Sequence, residues 1–100
     1  LPILTLLDEL RKNREKILAI AKDCGLKDVR VFGSVARGQE REDSDIDILV
    51  NRIKDVNMGL QIFGFPVALE EMFHRKIDFV FEPTLHWAIK DDVLKEAKPI

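Results

Sequence analysis

Three aspartates have the types and spacing to do chemistry. Asp45 and Asp47 lie in Ser44-Asp45-Ile46-Asp47-Ile48-Leu49-Val50, and Asp78 lies in Lys76-Ile77-Asp78-Phe79-Val80-Phe81. In a strand, residues i and i+2 share a face and sit ~6.6 Å apart, so Asp45 and Asp47 project to one side. Ile46 and Ile48 then point into the core. An isolated Asp-x-Asp is more often a solvated strand edge, and alone it decides nothing. Asp78 adds weight, because a carboxylate is seldom placed in an otherwise apolar strand without a partner. The bland account of Asp78 is an ion pair with Lys76 or Arg75, or exposure at an edge. If the two strands are neighbours, three carboxylates converge. Two unit charges ~5 Å apart repel by ~3 kcal/mol at an effective dielectric near 20, so the cluster calls for a divalent cation. Oxygen donors with no His or Cys nearby favour Mg²⁺ or Mn²⁺ over zinc.

Gly33-Ser34 supplies the complementary half. A glycine that ends a strand before a serine-led helical turn aims backbone N–H groups at one spot, where a phosphate binds well. The Ser34 hydroxyl can bind that phosphate or cap its own helix. Arg37, one turn on, can reach the phosphates or bridge to Asp45 or Asp47. Carboxylate-held cations and donors that grip the leaving phosphates are what phosphoryl-type transfer needs. Two such cations ~3.5–4 Å apart activate the attacking hydroxyl and stabilise the departing oxygen.

These residues need elements to position them. Thr5 is placed to cap a first helix running to about Asp23, with Leu7, Leu10, Ile17, Leu18 and Ala21 at helical spacing, Asn13 as an interruption and Gly25 as the stop. Asp28 to Phe32 reads as a strand, Ser34 to Arg37 as a very short helix, and Asp45 to Val50 as the second strand. Residues 57 to 75 read as helix broken by Gly59, Gly64 and Pro66, with Pro66 suited to start a second piece. Lys76 to Phe81 is a third strand. Thr84 is a good N-cap for a last helix whose inward stripe is Leu85, Ala88, Ile89 and Val93. The order α-β-α-β-α-β-α predicts an α/β (α+β) layer: a small mixed sheet of three or more strands with helices packed on it.

Length and composition narrow the function. One hundred residues suffice for one domain, 1–100, and the 46% hydrophobic content favours folding over disorder. A net charge of −2 argues against holding duplex nucleic acid by broad phosphate neutralisation. The lone Cys24 excludes an intramolecular disulfide and reads as a small buried apolar residue. No apolar run approaches the ~20 residues of a membrane span. The apolar Leu1 to Leu7 lacks a basic lead, so it does not read as a signal peptide, and a cytoplasmic setting fits. His74 reads as a residue at a helix C-terminus. Trp87 suits core or interface packing, with stacking on a base as the sharper option. Phe63, Phe65 and Phe73 read as core, any exposed subset being a partner surface.

Val31-Phe32-Gly33-Ser34-Val35-Ala36-Arg37-Gly38, a ten-residue spacer 35–44, and then Asp45-Ile46-Asp47-Ile48 together resemble the signature of the DNA polymerase β-like nucleotidyltransferase superfamily. The fuller run, with Ala36-Arg37-Gly38 and Ser44-Asp45-Ile46-Asp47, is similar to the minimal nucleotidyltransferases, antitoxins encoded beside HEPN-domain toxins. The likeness runs from about Ile17 to the end and includes Asp78. It implies the polymerase β-like fold, with two Mg²⁺ (or Mn²⁺) ions held by Asp45, Asp47 and Asp78 and the triphosphate held by Gly33 and Ser34. The implied activity moves a nucleoside monophosphate, AMP from ATP or another NTP, to a tyrosine of a HEPN-type partner and so blocks it. The alternative is an antitoxin that neutralises by complex formation alone. These 100 residues include no tyrosine, so the acceptor tyrosine lies on another chain. A domain this small buries a modest core and is expected to lean on a partner or on self-association. Because larger relatives add domains that bind the acceptor or the base, substrate recognition by this chain alone is not expected.

Overall fold

A computed structural model describes residues 4–56 and 59–100. Two short helices open the chain, α1 (Leu6–Lys12) and α2 (Arg14–Asp23). The helix expected over this stretch, with Asn13 as its interruption, is divided there: the Asn13 side chain reaches the Glu9 carbonyl at 2.9 Å and shares it with its own backbone N–H at 3.2 Å. Thr5 caps α1 through a capping box: its hydroxyl accepts from the Asp8 N–H and the Asp8 carboxylate accepts from the Thr5 N–H, both at 3.1 Å. Removing the cap in Thr5→Ala is expected to cost about 1 kcal/mol, a fall of roughly 4–8 °C in the melting temperature. Thermal unfolding followed by circular dichroism measures it. The expected run Leu1 to Leu7 begins, and the broken helix 57–75 starts, on residues outside those described.

Strand β1 (Leu26–Phe32) follows and runs straight into the one-turn α3 (Gly33–Ala36). After a polar loop come β2 (Ile46–Arg52), a 3₁₀ turn Gly59–Phe63, α4 (Gly64–Phe73), β3 (Ile77–Phe81), a 3₁₀ turn Glu82–Thr84, α5 (Trp87–Glu96) and β4 (Lys98–Pro99). The sheet order is β3-β2-β1-β4; β1 is antiparallel to β2 and β4, and β2 is parallel to β3. The parallel pair needs a crossover, which α4 supplies. Pro66 falls in the first turn of α4, where a missing N–H costs nothing.

The core sits between one sheet face and helices α2 and α4. Val29 and Val31 of β1, Ile46, Ile48 and Val50 of β2, and Ile77 of β3 meet Ile17, Ala21, Phe65 and Leu69 there, with Leu6, Leu7 and Leu10 of α1 closing one side. Cys24 is buried and free, as expected. Burial on both faces explains the apolar run Ile48-Leu49-Val50 in β2: Leu49 is inaccessible too, and Asp47 is the charged residue that interrupts the buried stretch.

The last helix departs from expectation. Its N-cap is His86, whose Nδ1 accepts from the Ala88 N–H at 3.1 Å, whereas the Thr84 hydroxyl donates to the Phe81 carbonyl inside the 3₁₀ turn. The inward stripe does not form: Ala88 and Ile89 are exposed, and no residue of α5 is buried. Trp87 is 82% exposed and stacks on His86, so it is no core residue. Phe63 is also more exposed than expected, at 51%, and meets Phe79 edge-on.

Candidate active site

The parallel register settles the first question. Asp47 of β2 stands directly opposite Asp78 of β3, so the two carboxylates share a sheet face on neighbouring strands. Asp45, just before β2, lies two residues up the same chain. Its loop is held by Arg75, whose guanidinium donates to the carbonyls of Arg41 at 2.7 Å and Ser44 at 3.0 Å. Arg75 therefore orders the approach to Asp45 and does not pair with Asp78. Lys76 does pair: its ammonium lies 3.6 Å from Asp78 and 3.9 Å from Asp45. One monovalent side chain, 67% exposed, thus serves two carboxylates, while among the described residues Asp47 has no ion-pair partner of its own.

On the other side of β2, Phe32 of β1 is registered with Asp47, and the next residue is Gly33. Gly33 has φ +70°, a left-handed conformation that glycine adopts cheaply. It also has no room for a side chain. A Cβ there would overlap the Asp47 carboxylate, with Oδ2 its nearest neighbour and Cγ at 3.1 Å. The strand-to-helix turn and the aspartate are therefore packed against each other.

Burial pushes the Asp47 carboxyl up from its ordinary value. The charges of Asp78, then Asp45, then Glu96 push the same way, and Arg37 opposes them. The site holds excess negative charge around one half-buried carboxyl. All its donors are oxygens, as Mg²⁺ or Mn²⁺ requires, and the residue at the centre is the one the protein charge leaves uncompensated. The donor set fits a divalent cation in kind. Among the described residues no three acidic, His or Cys side chains converge as a ready ligand set, so the expected meeting of all three carboxylates is not formed here; Lys76 pairs with Asp45 and Asp78 instead.

Arg37 does not bridge to Asp45 or Asp47. Its guanidinium donates from Nη1 to Glu96 Oε2 at 2.8 Å and from Nε to Gln39 Oε1 at 3.1 Å. Glu96 also accepts from the Gly33 N–H through Oε1. This residue was not legible in the sequence: it lies 63 positions from Gly33, at the end of α5. Ser34 is half-buried at the start of α3, and the short helix has no side-chain cap. A groove of about 500 Å³ lined by Lys27, Asp28, Asn51, Arg52, Phe81 and Thr84 lies at the far end of the same strands and contains none of these groups.

Residues 7–100 match the nucleotidyltransferase domain family. The chain belongs to that family. This nucleotidyltransferase is similar to Protein adenylyltransferase MntA of Thermococcus cleftensis, 35% identical over 72 residues that cover 72% of each chain. A proposed protein adenylyltransferase of Methanocaldococcus jannaschii is 34% identical over 84% of this nucleotidyltransferase and 89% of its own length. Among solved structures, a proposed minimal nucleotidyltransferase superposes with a TM-score of 0.79 at 40% identity, covering 94% of this chain and 95% of the other. A toxin–antitoxin crystal structure with AMP-PNP gives a TM-score of 0.68 at 24% identity, over 87% and 71% of the two chains, and shows the shared fold. The α/β architecture expected from the sequence is the nucleotidyltransferase one. Among the described residues no helix is long and apolar enough to cross a membrane.

Proposed function

We propose that this chain is a cytoplasmic minimal nucleotidyltransferase, one domain over 1–100, that transfers AMP from ATP to a tyrosine hydroxyl of a HEPN-type toxin and thereby acts as its antitoxin. One observation carries the reading: Asp47 and Asp78 face each other in register on parallel strands, with Asp47 packed against the glycine of an amide-lined turn. The relatives named as protein adenylyltransferases support the reaction class, and the toxin–antitoxin neighbour with AMP-PNP supports the partner and the nucleotide.

In this reading Asp45, Asp47 and Asp78 hold the Mg²⁺ or Mn²⁺ ions, and the amides at Gly33 and Ser34, with Arg37, hold the phosphates. Bound divalent cations would supply positive charge that makes the α-phosphorus more electrophilic and the acceptor hydroxyl more acidic. The acceptor oxygen forms a bond to the α-phosphorus, the bond from that phosphorus to the bridging oxygen breaks, and pyrophosphate departs. The hydroxyl's proton leaves to solvent by way of a carboxylate oxygen of the cluster. Gly33 and Arg37 orient the leaving phosphates, and their positive ends match the charge that develops there.

The test is incubation with each labelled NTP, Mg²⁺ and the co-purified partner, followed by intact-mass measurement of both chains. The expected result is one AMP on the partner, from ATP, and none on this chain. Label on an RNA end or a small alcohol would reject the protein acceptor. Exposed Trp87, Leu60 and Phe63 favour a second reading, neutralisation by covering the partner. Equal inhibition of the partner by the Asp45→Ala/Asp47→Ala double variant would select it.

A further inference from the structure

Glu96 occupies the two donors, the Gly33 N–H and the Arg37 guanidinium, that the proposed function gives to the phosphates. Its two carboxylate oxygens are divided between the Gly33 N–H and the Arg37 guanidinium, a backbone amide and a fork-shaped cation that together form an anion grip. The placement is not explained by helix energetics. Glu96 is the last residue of α5, where a negative charge opposes the helix dipole. It also lies close enough to Asp47 to add to the excess charge there. What holds it is the turn itself.

The element that carries it is built to let go. None of the ten residues of α5 is buried. The segment is fixed at its ends, by the His86 cap on one side and on the other by the β4 pairing to Arg30 and Val31, the bond from Arg11 to the Pro99 carbonyl, and the buried Ile100. Glu96 can leave Gly33 and Arg37 without opening the core.

We infer that Glu96 is a built-in competitor for the triphosphate grip, which a nucleotide must displace, and that it sets this chain's affinity for nucleotide. The inference rests on the reading of Gly33 and Arg37 as phosphate ligands. A triphosphate wins the exchange because it offers more charge and more acceptor oxygens than one carboxylate. Its arrival also moves the Glu96 charge away from Asp47.

Calorimetric titration of the wild-type chain, Glu96→Ala and Glu96→Gln with inorganic triphosphate and with ATP plus Mg²⁺ tests this, with the Gly33 amide resonance followed in parallel. Glu96→Ala should bind both probes about tenfold more tightly, a gain of about 1.4 kcal/mol, with Glu96→Gln in between. The Gly33 amide should shift on substitution before any ligand is added. Melting curves matching the wild type would show that the fold is kept. Binding by the wild type with equal or weaker binding by Glu96→Ala would overturn the competition and leave the proposed function standing. Failure of all three proteins to bind either probe at millimolar concentration would overturn both.

Discussion

Asp47→Asn should reduce nucleotidyl transfer by on the order of 10³-fold or more, because metal-borne charge stabilisation is worth several kcal/mol and each 1.36 kcal/mol is tenfold in rate. Single-turnover transfer to the partner, measured with saturating ATP and Mg²⁺, gives the ratio. The same substitution should leave the fold intact and, in the absence of metal, somewhat more stable at neutral pH. The sign follows from the raised proton affinity of Asp47. A carboxyl whose folded value lies above its unfolded one contributes stability at low pH that disappears as pH rises through the folded value. Above that range the wild type keeps an ionised group that burial and the charges of Asp78, Asp45 and Glu96 disfavour. Asn carries no charge, so the melting temperatures of variant and wild type should diverge as pH rises from the carboxylate range toward neutrality. Added Mg²⁺ should stabilise the wild type and not the variant. Retained transfer by Asp47→Asn would remove Asp47 from the machinery.

Gly33→Ala should damage both the fold and the site. A non-glycine residue held at φ +70° costs about 1–3 kcal/mol. The added methyl also overlaps the Asp47 carboxylate, so either the turn or the aspartate must move. With roughly 4–8 °C lost per kcal/mol in a chain of this size, a drop of about 5–20 °C in melting temperature is expected. Nucleotide binding should be lost even below that temperature, since the turn's amide and Asp47 cannot both keep their places. A comparison with Gly38→Ala separates backbone strain from the clash. Gly38 also has a positive φ, +69°, but a Cβ there meets nothing within 4 Å. Gly38→Ala should lose stability alone and keep nucleotide binding. Equal losses in both would show that the closeness of Gly33 to Asp47 is unimportant.

The parts of the site legible in the sequence were those written locally. Gly33-Ser34 breaks a strand, Asp45-Ile46-Asp47 alternates across one, and Asp78 is a charge inside an apolar run. Each of those patterns follows from backbone geometry over a few residues. The pairing of the Asp47 and Asp78 strands was an inference from charge and resemblance, and the parallel register bears it out. What could not be read depends on tertiary placement. Glu96 reaches Gly33 across the fold, and Arg37 turns to it and away from the aspartates. Thr84 was the expected cap, and the role falls to His86 because the Pro83 turn consumes the Thr84 hydroxyl. Two-residue β4 is too short for any periodicity, and its Pro99 is tolerated because the strand lies at the sheet edge. The stripe expected on α5 was misjudged because apolar spacing fixes which side of a helix is greasy, not whether anything covers that side.

The helix that ends in Glu96 sends no side chain into the interior. Under the competition proposed for Glu96, robustness and ligand response are written in different parts of the chain. Substitutions along that outer helix would then retune how readily the enzyme accepts its substrate while the folding equilibrium barely registers them. A lineage could adjust its sensitivity to cellular nucleotide levels there without first acquiring stability to spend.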